Sequence, residues 1–77
     1  TTFPIPLALA STWNPKLIEE VAHASMKEAL ATGTTWNYTP MVDISRDPRW
    51  GRIAESGGED PKLNSTMAKP GCVGYKK

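Results

Sequence analysis

Asn14-Pro15-Lys16-Leu17-Ile18-Glu19-Glu20-Val21-Ala22-His23-Ala24-Ser25-Met26-Lys27-Glu28-Ala29 is the longest periodic run in the chain, and the fold expected around it follows from how it is read. Ile18, Val21, Ala22, Ser25, Met26 and Ala29 recur at three- and four-residue spacing, while Lys16, Glu19, Glu20, His23, Lys27 and Glu28 fill the opposite side. That is a helix with one buried face. Asn14 supplies a side-chain acceptor for the cap, Pro15 a pre-set φ for the first helical position, and Gly33 the left-handed residue that ends it. Before the helix, Phe3-Pro4-Ile5-Pro6 is too proline-rich for an interior strand and reads as an extended approach to Leu7-Ala8-Leu9-Ala10, a short apolar run that suits a buried parallel strand. After it, Trp36-Asn37-Tyr38-Thr39 and, across Pro40, Met41-Val42 are rich in aromatic and β-branched residues and read as a second strand. Strand, helix, strand predicts an α/β fold with a right-handed crossover, in which chemistry sits on loops leaving the carboxyl ends of the strands.

The loop leaving that second strand runs from Asp43 to Pro61: Asp43-Ile44-Ser45-Arg46-Asp47-Pro48-Arg49-Trp50-Gly51-Arg52-Ile53-Ala54-Glu55-Ser56-Gly57-Gly58-Glu59-Asp60-Pro61. It has neither helical nor strand periodicity, and its interleaved arginines and carboxylates around a tryptophan suit a polar ligand bearing many hydroxyls. A solvated surface loop is the plainer alternative. Beyond it, Asp60 as cap and Pro61 at the first position predict a short helix over residues 62–69, which the glycines and proline of Pro70-Gly71-Cys72-Val73-Gly74-Tyr75-Lys76-Lys77 are expected to stop.

Size and composition exclude several classes. A chain of 77 residues forms one small domain at most. Net charge is +1 with the basic residues dispersed, which leaves no footprint for nucleic acid or an anionic membrane. No apolar run approaches the roughly 20 residues that span a bilayer, and the composition does not assign a compartment. The single Cys72 has no disulfide partner, and His23 is too far along the chain to complete a metal-ligand set with it, so no metal and no cofactor are expected. His23 itself, flanked at four residues by Glu19 and Lys27, reads as a solvated surface histidine and Met26 as core filling.

Arg46-Asp47-Pro48-Arg49-Trp50-Gly51-Arg52, then Glu55, then Gly58-Glu59-Asp60-Pro61, resembles the signature loop of glycoside hydrolase family three, the family of many β-glucosidases and β-xylosidases. The likeness extends back through Phe3-Pro4-Ile5-Pro6-Leu7 and Ala10-Ser11-Thr12-Trp13-Asn14-Pro15 and covers roughly residues 1–69, leaving 70–77 as a divergent tail. The resemblance implies a fragment of an N-terminal (β/α)8 barrel of TIM type, about one strand-helix-strand unit plus a long active-site loop. A typical barrel of this kind needs about 250 residues, so most of it lies outside this chain.

The resemblance further implies a retaining β-glycosidase, most simply a β-glucosidase acting on terminal non-reducing β-D-glucosyl residues through two carboxylates. The family's catalytic nucleophile and its acid/base have no counterpart here, so no catalytic residue is expected in this chain and the chain alone is expected to be inactive. Arg52, by its position after Trp-Gly, matches the family's sugar-binding arginine, whose planar fork of donors suits two neighbouring hydroxyls. Asp43, Asp47 and Glu55, with Asp60, are expected to pair with arginines or cap turns behind it, and Trp50 to pack beneath the loop, with stacking on a sugar face as the alternative. Gly57 departs from the family, which has an aromatic residue in the motif there, and Thr34 and Thr35 stand where an apolar residue is usual. The implied partners are a β-glucoside or oligosaccharide substrate and the remainder of the parent enzyme, with a periplasmic or extracellular location. A self-standing, non-catalytic carbohydrate-binding or interaction module that shares the motif is the competing reading.

Overall fold

The computed structural model describes residues 1–76, so Lys77 of the expected tail lies outside the described residues. Their order is α1 (Pro6–Ala10), α2 (Pro15–Ala31), two 3-10 turns (Pro48–Trp50 and Ile53–Glu55) and α3 (Pro61–Lys76). Among the described residues there is no strand, which corrects the expected α/β arrangement and its partial (β/α)8 barrel.

Each misread strand has a physical reason. Leu7-Ala8-Leu9-Ala10 is helical because Pro6 occupies the first turn, where its missing N–H costs nothing, and because leucine and alanine are strong helix formers. Ser11 closes this short helix, donating from both its backbone N–H and its hydroxyl to the Leu7 carbonyl. The segment from Trp36 to Val42, expected as a second strand, has no regular secondary structure, and among the described residues no strand lies beside it to complete a ladder. Local contacts order it together with one to α2, where Asn37 Nδ2 donates to the Met26 Sδ at 3.6 Å. Trp36 and Tyr38 stack with centroids 5.9 Å apart, and the Asn37 side-chain oxygen accepts from the Thr39 amide and hydroxyl. The Thr39–Pro40 peptide is cis.

Helix α2 has the predicted boundaries. The Asn14 side chain accepts from the Leu17 amide at 3.1 Å, and Gly33 carries φ +92° just beyond the helix, where Thr34 N–H turns back to the Ala29 carbonyl. Its apolar face packs against α3, and the core consists of Ala10, Leu63 and Met67 with Ile18 against them, and Ala22 buried nearby. His23 departs from its expected surface role: it is half-buried, and its Nδ1 is shielded without a hydrogen-bond partner among the described residues.

The residues expected to stop α3 at Lys69 do not stop it, and the helix continues through Pro70 to Lys76. Pro70 forfeits the bond to the Thr66 carbonyl, but Thr66 is exposed and water can serve that group. What holds the second half is tertiary packing. Leu63, Met67, Gly71 and Gly74 continue one buried stripe at helical spacing. At Gly74 a Cβ would lie 2.7 Å from the Ala22 Cβ and collide with the Glu19 backbone, so only glycine permits this approach of the two helices. Propensity counted these glycines as breakers, whereas the packing uses them as the contact.

Candidate functional site

Between Val42 and Pro61 the chain leaves the helical layer as a loop closed at its base. Ser45 and Ser56, both buried, meet hydroxyl to hydroxyl at 2.6 Å, and the Ser45 amide donates to the Gly58 carbonyl at 3.0 Å. Asn64, buried on the first turn of α3, fastens the returning side of this neck. Its oxygen accepts from the Gly57 amide at 3.1 Å, and its amide nitrogen donates to the carbonyls of Gly58 and Asp60 at 3.0 and 3.3 Å. A Cβ at Gly57 would come within 2.5 Å of the Asn64 oxygen, so the glycine that departs from the resembled motif is the residue that lets Asn64 reach the backbone. Asp60 caps α3, accepting from the Lys62 amide at 2.9 Å.

Above the neck, two carboxylates each hold an arginine. Asp47 caps the turn Pro48–Trp50 by accepting from the Arg49 amide at 2.9 Å, and the same carboxylate takes the Arg49 guanidinium at 2.8 to 3.2 Å. Gly51 follows with φ +85°, a backbone turn that other residues rarely adopt, and brings Arg52 back toward Trp50. Arg52 donates Nε and Nη2 to the two oxygens of Glu55, both at 3.0 Å, and its Cζ lies 5.9 Å from the centre of the Trp50 ring. Trp50 is 36% exposed.

The electrostatics follow from these pairs. Hydrogen bonds from Arg49 hold the Asp47 carboxyl below its ordinary pKa, and those from Arg52 do the same to Glu55. The Arg52 guanidinium is raised by the Glu55 hydrogen bonds first and by the charge of Asp43 last. A carboxylate held low stays ionised near neutrality, which suits it to orienting an arginine and not to donating a proton. An arginine has five N–H donors. Glu55 occupies two of those on Arg52, and the rest point away from the pair, available to neighbouring oxygens.

Asp43, Asp47 and Trp50 line one open cavity of about 320 Å³ together with Ile44 and Arg46, while Arg52 and Glu55 pair beside the same tryptophan. Sequence reasoning missed Ser45, Ser56 and Asn64, whose contacts span seven to eleven residues with no periodic signal, and it did not single out Arg46. A second cavity of about 110 Å³, between the helices, is lined by residues such as Ile18, Val21, Pro40 and Met67 without a charged group. Among the described residues no group of histidine, cysteine and carboxylate could hold a metal, and no helix is long and apolar enough to cross a membrane. Cys72 is exposed on α3.

The sequence profile of the glycosyl hydrolase family 3 N terminal domain matches residues 1–77. A periplasmic β-glucosidase of Salmonella typhimurium is 48% identical over 69 residues, which are 90% of this chain and 9% of that protein. A β-xylosidase of Formosa agariphila is 47% identical over 68 residues, 87% of this chain and 9% of the relative. Among solved structures, the β-glucosidase of Listeria innocua superposes with a TM-score of 0.94 at 47% identity, covering 99% of this chain and 10% of that one. The same Listeria enzyme has been solved with glucose and, as a mutant, with laminaribiose. The chain thus spans about a tenth of the length of these relatives. With its loop, its cap residues and its helices all falling inside the matched region, the chain belongs to glycosyl hydrolase family 3, as a short fragment of the N-terminal domain.

Proposed function

We propose that this segment serves a retaining β-glycosidase of the β-glucosidase type by gripping the terminal sugar of the substrate through Arg52, and that it contains neither the nucleophile nor the acid/base. One observation carries the reading: Glu55 fixes the Arg52 guanidinium on its Nε edge and leaves the remaining donors free beside the Trp50 ring. A planar donor fork held in this way binds two adjacent hydroxyl oxygens with little loss of side-chain freedom. Asp47 and Glu55, held ionised by arginines, act as supports. The reacting carboxylates belong to the remainder of the parent enzyme, which is also the partner this chain requires. The Salmonella relative is periplasmic by name, which favours the same location for the parent.

The test compares the parent enzyme carrying this segment with the isolated 77-residue chain on an aryl β-glucoside. The parent hydrolyses it, the isolated chain does not, and Arg52→Lys in the parent lowers kcat/KM by about 100-fold, because a single ammonium replaces a two-pronged contact. Hydrolysis by the pure short chain, or full activity in Arg52→Lys, defeats the reading.

A further inference from the structure

Arg52 and Glu55 are both exposed, and an ion pair in that setting contributes little to stability. It orients the guanidinium against the carboxylate but does not fix the two of them in space. What fixes them lies at the base of the loop, where Ser45, Ser56 and Asn64 are all buried, Ser56 completely. The chain between that base and the arginine has no slack. The turn Ile53–Glu55 directly precedes Ser56, whose amide donates to the Ile53 carbonyl at 3.3 Å, and the Glu55 amide donates to the Arg52 carbonyl at 3.1 Å. Helix α1 packs against the same turn. Of the three buried residues, Asn64 alone stands on a helix, and through the Gly57 amide it ties the residue after Ser56 to α3.

We propose that Asn64 and Gly57 form a positioning pair that sets where Arg52 stands, each effective only in the presence of the other. This rests on the reading of Arg52 as the grip on the terminal sugar. An amide suits the task because it offers an acceptor to the Gly57 amide and donors to the Gly58 and Asp60 carbonyls at once. The dependence on Gly57 is geometric. A Cβ there would stand 2.5 Å from Asn64 Oδ1 and 3.1 Å from its Cγ, but 3.7 Å from the Ala10 Cβ, which is ordinary contact. Any side chain at position 57 therefore expels the Asn64 amide, and with that amide gone a small one fits. Where the resembled motif carries an aromatic side chain, this chain carries a hydrogen-bonded amide reaching in from α3. Without the amide, Gly57 shifts against α3 and takes Ser56, the turn and the Glu55–Arg52 pair with it. Misplacement by about 1 Å can cost a contact up to about 100-fold, and for a contact that binds without reacting the loss falls on KM.

The experiment is a double-mutant cycle in the full-length enzyme that carries this segment, with 4-nitrophenyl β-glucoside as substrate. Asn64→Ala and Gly57→Ala are each expected to raise KM about tenfold while kcat stays within about twofold. The double variant Gly57→Ala/Asn64→Ala raises KM about tenfold and not about 100-fold, because both single changes break the same bonds. In an Arg52→Lys background, Asn64→Ala adds less than about twofold, since the grip it positions is already lost; this arm stands independently of how well Gly57→Ala folds. A residue that only kept the enzyme folded would lower kcat through the active fraction, leave KM unchanged and act equally with or without Arg52, and that result overturns the proposal. A double variant whose KM is the product of the two single effects overturns it as well. Impaired Arg52→Lys beside wild-type KM in Asn64→Ala and Gly57→Ala removes the positioning pair and leaves the Arg52 reading standing. Undiminished kcat/KM in Arg52→Lys removes that reading and the pair with it.

Discussion

Replacing Asn64 by alanine is expected to open the neck of the loop without disturbing the helices. The Asn64 side chain satisfies the Gly57 amide and the Gly58 carbonyl, and shares the Asp60 carbonyl with its own backbone amide, in a part-buried setting. Alanine leaves the first two without that partner. An unsatisfied buried polar group costs about 1–3 kcal/mol, and water entering the half-buried Gly57 and Gly58 recovers part of it, so a net loss of about 2–3 kcal/mol is expected for closing the neck. The reporter is the Ser45 amide, whose bond to the Gly58 carbonyl is retained in the variant and breaks only when the neck opens. Native-state hydrogen exchange measures that opening directly. At 1.4 kcal/mol per factor of ten, Ser45 should exchange about 30- to 140-fold faster in Asn64→Ala, while the Thr34 amide at the end of α2 remains unchanged. Asn64→Asp retains the acceptor for Gly57 but points a carboxylate at two carbonyls, and should be at least as open. Ser45 protection within threefold of the wild type in both variants would show that the two serines close the neck unaided, and the reasoning about Asn64 would fail.

Gly74→Ala places a methyl group against Ala22 and the Glu19 backbone; overpacking of this kind costs about 1–3 kcal/mol, partly offset by alanine's helix propensity of about 1 kcal/mol, and should appear as a lower melting temperature. If the variant melts at or above the wild-type temperature, α2 and α3 do not approach as closely as described. Asn14→Ala removes the cap on the Leu17 amide and should cost about 1 kcal/mol, with Asn14→Ser restoring most of it in the same denaturation assay. Because their pKa values are depressed in the folded loop, Asp47 and Glu55 contribute pairing that is complete above the ordinary carboxylate values of 3.8 and 4.5 and disappears as pH falls through the lower folded values. Both groups are exposed, so carboxyl-carbon NMR titration should find midpoints below those values that move back toward them in 1 M salt, where the screening length is about 3 Å. Midpoints at the ordinary values in low salt would mean that the two arginine pairs do not form in solution.

Local chemistry was legible wherever a short-range rule governs. Asn14-Pro15 and Gly33 bounded α2, Asp60-Pro61 began α3, and Arg46 to Pro61 was readable as an ordered, charged loop with a family signature, because caps, prolines and motifs act within a few residues. Strand identity was not legible, since Leu7–Ala10 and Trp36–Val42 are too short for periodicity to decide, and a strand exists only where a neighbour completes its hydrogen bonds. Tertiary structure alone decided the rest. It carried α3 through Pro70 because Gly71 and Gly74 fit against α2, whereas propensity measures a helix with no neighbour. It left Trp36 and Tyr38 75% and 82% exposed, and half-buried His23. It also joined Ser45, Ser56, Gly57 and Asn64 into the neck that fixes the loop, a set of contacts between polar residues whose meaning depends entirely on which of them the fold brings within hydrogen-bond reach.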